Sequence, residues 1–491
     1  MGGEALKSQG AESTGATEPV SGCGRTLGRR DILRSLAVGS VAFLVGNVLE
    51  GCGVARPTVQ DGQISVLWQV EEDLAPFFNS TTKQLISETL TSSFYPKNRG
   101  IAVQLYAPEP PTEYPPTGAI PAILAGKGPD IVSVDGNLAT DAFLGESLLV
   151  DLRPFVSSSE VNLSDYDTSQ LTLINLPNGL FALPYTFATG TMVVNLDVFD
   201  AAGFAYPPED WSYEEWAAAA KQVTNRPTVY GTTFPQGDWI VPRFAYHGWG
   251  GSIVDPQNAA RCVVDSQESV ACAQFFVELI TSGVAAHQWA SATAVAAGTQ
   301  AMGFAWLGYA PQYALAWQRL KFRFYPMPSW PQGPYTQTRP NYYGITVESK
   351  HKEAAWTLLD WLCVQPAWQK AKMSFALSPP SLKSLWPEYV ALLPTVAPVY
   401  TGTNVEAFQT LILNDRAVVG TNFMYDDAAA RSMLTTFSQQ VLSGQVDLAV
   451  AAQSVAAQVN ALEELGASRA SEVTSINALF PPSGSSTVSG S

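Results

Sequence analysis

The 491-residue chain has little of what enzymes usually spend on chemistry. It holds three histidines and five cysteines, and only 14% of its residues are charged. The histidines (His247, His287, His351) stand far apart, and none has a partner at metal-ligand spacing. No H-E-x-x-H, C-x-x-C, G-x-S-x-G or G-x-x-x-x-G-K-[ST] pattern occurs, so nothing in the sequence calls for a metal or cofactor. A carboxylate pair for glycoside hydrolysis is set by space rather than spacing, and sequence does not exclude it. Basic charge is also scarce: 27 Lys and Arg face 43 Asp and Glu, a net charge of −16. Such a field disfavours nucleic acid and anionic lipid as partners. There is no tandem repeat of solenoid period.

What is abundant is apolar and aromatic. Hydrophobic residues make up 46% of the chain, a globular composition, and at this length two or more lobes are expected. The 13 Trp and 18 Tyr exceed what a core requires. Their rings suit stacking on the apolar faces of sugar rings, with Asp, Glu, Asn and Arg exchanging hydrogen bonds with the hydroxyls.

The first 51 residues read as a polar leader followed by an export signal. Arg29 and Arg30 precede Ile32-Leu33 and an apolar run from Leu36 to Leu49, too short for a spanning helix but suited to a signal core. The arginine pair resembles a twin-arginine export signal, and Leu49-Glu50-Gly51-Cys52 resembles a lipoprotein cleavage box with an atypical Glu50. Lipid on Cys52 would attach the chain to the membrane, the body lying outside the cytoplasm. The other reading is an uncleaved membrane anchor. Of the remaining cysteines, Cys363 falls on an apolar helix face, while Cys262 and Cys272 are either a disulfide or two separate thiols.

Alternating strands and helices indicate an open α/β sheet. Strands are expected at Ile64–Gln69 and Ile101–Tyr106, with a third ending at Asp135, and a helix over about Lys83–Phe94. The most informative stretch runs from Gly179 to Trp216. It reads as two short apolar strands around a Pro184-Tyr185-Thr186 corner, then a helix capped by Asn195 and closed by Gly203. A second helix opens at Ser212, with Glu215 at capping-box spacing. Further helices are expected at Val241–Trp249, Asp265–Thr281 (Asp265 and Glu268 as capping box), Lys350–Val364, Ala428–Ser443 and Leu448–Glu464. Strands are expected at Tyr230–Phe234, Phe322–Trp330 and Asn341–Ser349, and Val295–Trp306 reads as the approach to another strand.

The order of elements in the Gly179–Trp216 stretch resembles the hinge segment of the maltose-binding-like family of extracellular solute-binding proteins, which serve ABC importers. Phe143–Leu152, Val295–Trp306 and the Lys350-His-Lys-Glu-Ala-Ala-Trp356 helix are similar to further parts of that family, so the resemblance spans roughly Ile64 to Leu465. It implies a two-lobed periplasmic-binding-protein-like fold of type II, each lobe an open sheet flanked by helices. Residues 1–51 would be leader and signal, 52–62 a lipid-anchored tether, and 481–491 a flexible tail. Lobe one would comprise 63–186 and 349–390, lobe two 187–348 and 391–480.

The resemblance also implies a non-catalytic, monomeric receptor that captures a sugar between its lobes and hands it to membrane permease subunits. Family ligand contacts come from strand ends and lobe crossings, here Glu71, Glu72, Asp135, Asn137, Tyr185, Thr186, Trp239, Trp249, Trp306, Tyr342 and Tyr343. Several have plainer readings: Glu71 and Glu72 as a solvated loop, Asp135 as a helix cap, Arg243 as donor or surface residue. Trp68, Trp211 and Trp216 read as core. The same acidic and aromatic set would suit a cation such as a polyamine. A secreted carbohydrate-active enzyme or a sensory module on the same fold are the other classes left open.

Overall fold

The computed structural model describes residues 63–69, 80–106, 119–136, 143–144, 147–159, 161–233, 240–286, 292–414, 416–419 and 427–479, with side chains of the last helix described to 468. The leader, the Cys52 region and the tail lie outside the described residues, as do Glu71, Glu72, Asn137 and Trp239.

One eight-stranded sheet runs through the molecule. Its strands are β1 (Ile64–Gln69), β2 (Ile101–Tyr106), β3 (Ile131–Asp135), β4 (Leu183–Asn195), β5 (Met302–Trp306), β6 (Phe322–Tyr325), β7 (Thr336–Ile345) and β8 (Ala417–Val419). The spatial order is β5-β4-β7-β3-β1-β2, with β6 beside β4 and β8 beside β7. β1 pairs in parallel with β2 from Ile64↔Ile101 to Gln69↔Tyr106, whereas β4 and β7 pair antiparallel. All five residues of β3 are buried, as expected of a strand covered on both faces.

The two crossing strands differ from the sequence expectation in one instructive way. The Pro-Tyr-Thr corner is absent; Leu183–Asn195 is a single strand of 13 residues. The register against β7 shifts there, Thr186 facing Asn341 while Pro184 faces Tyr342, so Tyr185 is the extra residue of a β-bulge. Proline has no N–H to give a ladder and is tolerated where pairing is interrupted. β7 begins at Thr336, five residues before the expected start. Its polar first half is stable in a sheet because Thr336 donates to the Gly190 carbonyl at 2.5 Å and Thr338 to that of Val418 at 3.2 Å.

Three hydrophobic cores flank the sheet. The first gathers Val66, Trp68, Phe94, Ile131, Leu183, Tyr185 and Tyr343 under one face of the helix Lys352–Cys363. That helix buries Ala354, Ala355, Leu358, Leu359, Leu362 and Cys363, the face expected from its spacing. The second holds Met192, Val194, Trp211, Trp216, Phe276, Phe304, Trp330 and Val455. Val193 and Phe187 of the same crossing strand enter a third, with Trp317, Phe322, Trp386 and Phe408. β4 is thus buried on both faces, which is why its sequence shows no alternation.

The helices that position the site are α1 (Thr168–Leu171), α2 (Leu196–Ala202), α3 (Tyr213–Val223), α4 (Arg243–Trp249) and α5 (Gln267–Thr281). The Asn195 side chain caps α2 through the Val198 N–H, and Gly203 closes it in the left-handed region at φ 72°. Ser212 and Glu215 form both bonds of the capping box on α3. On α5 the cap is Ser266 rather than Asp265, its hydroxyl accepting from the Ser269 N–H at 3.2 Å.

Smaller corrections concern extents. The strand expected over Tyr230–Phe234 is only Thr232–Thr233 among the described residues, and β6 stops at Tyr325. The last helix runs from Leu448 to Leu479, past the expected end at Glu464, because Gly466 sits in a run of good helix formers. Cys262 and Cys272 are separate buried thiols, and burial pushes the Cys262 thiol up to about 11. No helix among the described residues is long and apolar enough to cross a membrane.

Candidate functional site

The crossing brings five of the expected residues together. Asp135 ends β3, is buried, and forms an ion pair with Arg339 of β7, whose side chain stays about one-third exposed (34%). Tyr185, the bulged residue, is fully buried in the first core, stacks on Tyr343 with ring centroids 4.2 Å apart, and its hydroxyl lies 3.1 Å from Ser133 Oγ. The Lys372 ammonium donates to the Tyr185 carbonyl at 3.0 Å and lies 4.7 Å from the centre of its ring. The buried Tyr342 hydroxyl has no hydrogen-bond partner among the described residues. Burial, with a smaller push from the Asp135 charge, raises that phenol well above its ordinary range.

A strap from Ser378 to Leu382 covers the bulge. Thr186 donates to the Pro379 carbonyl at 2.8 Å, Ser381 donates to that of Pro184 at 2.9 Å, and Gln369 accepts from the Ser381 N–H at 2.9 Å. The Ser381 bond to the Pro184 carbonyl, with the Lys372 bond to that of Tyr185, satisfies carbonyls that a bulge takes out of the ladder.

The two described tryptophans lie apart from this group. Trp306 ends β5 opposite Gly190, is 8% exposed, and meets Phe304 edge-on at 5.1 Å. Trp249 ends α4 at the rim of the second core, 4.7 Å from Tyr213, 5.3 Å from Phe275 and 5.4 Å from Trp330 between ring centres. Trp68, Trp211 and Trp216 are core, as expected. Arg339 and Lys372 had no sequence signal: one sits in a stretch without apolar alternation, the other mid-helix like any surface lysine.

A cavity of about 360 Å³ lies beside the edge strand β8, within the size range of small-ligand pockets. Thr168, Ser169 and Thr172 of α1 and its end line one side; Arg243, Tyr246 and His247 of α4, with Gly251–Val254, line the other. Tyr335, just before β7, closes it: its ring meets His247 at 4.6 Å and its hydroxyl accepts from Arg416 at 2.6 Å. Desolvation, helped by the charge of Arg416, holds the His247 imidazole below its usual pKa. That favours the neutral ring at physiological pH. Tyr335, Gln337 and Arg339 alternate onto one sheet face, so the cavity and the Asp135–Arg339 pair share that face.

A crossing of two antiparallel strands between separate cores, with a polar cavity at its edge, is the framework of a ligand-holding cleft. The family model described as "Bacterial extracellular solute-binding protein" matches residues 80–363, more than half of the chain. The chain belongs to the bacterial extracellular solute-binding protein family. The solute-binding fold is equally clear in solved structures. The sugar-binding protein MalE from Xanthomonas citri shares 16% identity over 82% of this chain and 98% of its own, with a TM-score of 0.66. The cyclic alpha-maltosyl-1,6-maltose binding protein from Arthrobacter globiformis gives 15%, 82%, 100% and 0.66 for the same measures. An ABC substrate-binding protein from Listeria monocytogenes, solved in complex with cycloalternan, gives 18%, 82%, 99% and 0.63. This solute-binding protein therefore has the two-lobed fold expected from its sequence.

Proposed function

We propose that this solute-binding protein captures a sugar or oligosaccharide between its lobes and delivers it, unaltered, to the permease of an ABC importer. The observation that carries the reading is the family match over 80–363, joined to the saccharides named for solved proteins of the same fold. Lobe one is 63–186 with 349–390 and lobe two 187–348 with 391–480. The lobes close about the crossings, and ligand favours closure by binding the closed state better. Asp135, Tyr185, Thr186, Tyr342 and Tyr343 form the floor of the site. Glu71, Glu72, Asn137, Trp239, Trp249 and Trp306 are the further ligand-binding residues of this reading. The twin arginines Arg29 and Arg30 direct export, and lipid on Cys52 holds a monomeric receptor at the outer face of the membrane. A polyamine fits less well, since Asp135 is already engaged by Arg339.

A thermal-shift screen of the full chain against sugars, polyamines and amino acids tests this, because a ligand bound only by the folded state raises the melting temperature. Saccharides are expected to raise it; a response confined to polyamines or amino acids would overturn the sugar reading. Trp239→Ala is expected to weaken saccharide binding by about tenfold, the scale of a lost stacking contact. Unchanged affinity by calorimetry would remove Trp239 from the site.

A further inference from the structure

The most exposed aromatic ring among the described residues is one that the sequence did not single out. Tyr309, at the end of the short 3₁₀ turn Leu307–Tyr309 that follows β5, is 50% exposed. An exposed tyrosine alone calls for no explanation. Its position does. β5 ends beside the crossing, with Trp306 opposite Gly190 of β4. Two residues on, Gly308 turns its bare side to the same strand, where a Cβ would lie 3.6 Å from that of Ala188. Ala188 in turn stands opposite Arg339 of β7, the partner of Asp135. Opposed residues of a ladder share a sheet face. The ground between the Tyr309 turn and that ion pair is therefore floored by two of the smallest residues.

The Tyr309 ring is braced while staying half open. It meets Tyr313 edge-on at 6.4 Å, and Tyr313 is buried, stacked on Trp317 at 4.2 Å, with its hydroxyl accepting from the Trp306 N–H at 3.1 Å. A braced tyrosine gives a sugar ring a broad contact at low conformational cost. The cavity beside β8 is a different place on the same sheet. Tyr335, which closes it, is about 13 Å from Arg339 at the rise of an extended strand. One pyranose ring does not reach from the cavity to the Gly308–Ala188 floor.

We infer that Tyr309 is the platform of a second sugar subsite, reached by a saccharide chain that also occupies the cavity beside β8. The ligand is then an oligosaccharide and not a single sugar. The inference rests on the saccharide reading above and narrows its substrate class.

The test is calorimetry on the full chain with glucose, maltose, maltotriose and maltopentaose, and with cello-oligosaccharides of the same lengths, repeated on Tyr309→Ala and Tyr309→Phe. In one series, affinity is expected to rise at least about tenfold from the shortest member that binds to the longest. Tyr309→Ala should erase most of that gain and leave the affinity for the shortest binder unchanged, whereas Tyr309→Phe keeps the gain because the ring remains. Both variants should unfold at the melting temperature of the parent. If short and long members bind equally, or Tyr309→Ala leaves the gain intact, or it weakens short and long members alike, the subsite is wrong and the saccharide receptor stands. Binding of no member of either series overturns the subsite, and the saccharide reading falls with it only when no other sugar raises the melting temperature.

Discussion

The crossing and the cavity are neighbours on one sheet face, yet they are built in opposite ways. At the crossing several polar groups are taken by the protein, Asp135 by Arg339, Thr186 by Pro379 and the Tyr185 carbonyl by Lys372, while the buried Tyr342 hydroxyl has no hydrogen-bond partner among the described residues. At the cavity, polar atoms surround a void of about 360 Å³. The first arrangement fixes geometry and the second offers contacts. The crossing must hold the bulged strand in place, while the walls of a cavity carry less of the fold. Substitutions at the crossing should therefore register in stability, and substitutions at the cavity in affinity.

The largest expected effect is at the aromatic base of the crossing. Trp68 packs edge-on against Tyr343 at 6.0 Å and Trp368 at 5.5 Å and is fully buried. Trp68→Ala should cost about 3–5 kcal/mol in denaturant unfolding. A loss below about 1 kcal/mol would mean that the first core does not support the crossing. Next comes Arg339→Ala, which leaves the Asp135 carboxylate buried beside an empty place. About 1–3 kcal/mol is expected, reduced from a fully buried pair because Arg339 is one-third exposed (34%). Asp135→Asn, which leaves no buried charge, should cost less; the reverse order would break the assignment. Smallest is Thr172→Val on the exposed rim of the cavity, expected to shift stability by no more than about 0.5 kcal/mol. A large stability loss there would erase the distinction between the two regions.

Much of the lobe scaffold was legible from periodicity and caps. The apolar face of Lys352–Cys363, the Asn195 cap with Gly203, and the Ser212–Glu215 box are local devices whose residues state their own roles. The bulge was not legible. Pro184 carries the same turn signal in a corner and in a bulged strand, and the choice is made by Asn341 and Tyr342 more than 150 residues away. β7 began earlier than expected because Thr336 and Thr338 are satisfied by backbone carbonyls of two different strands, a tertiary effect invisible to hydropathy. At the site, Asp135 and the crossing tyrosines follow from the family resemblance, which puts ligand contacts at strand ends and crossings. Arg339, Lys372 and the cavity do not, since their meaning comes only from what the fold sets beside them. Cys262 and Cys272 show the same limit: spacing allowed a pair, and packing keeps two separate thiols.

The central claim is that this member of the solute-binding family holds a saccharide and leaves it chemically unchanged. Titration calorimetry of the full chain with oligosaccharides, followed by chemical analysis of the recovered ligand, tests it most directly. Saturable binding of one saccharide per chain, with the ligand recovered intact, is the predicted result. Cleavage of the saccharide, or heat of binding from none of them, would contradict it.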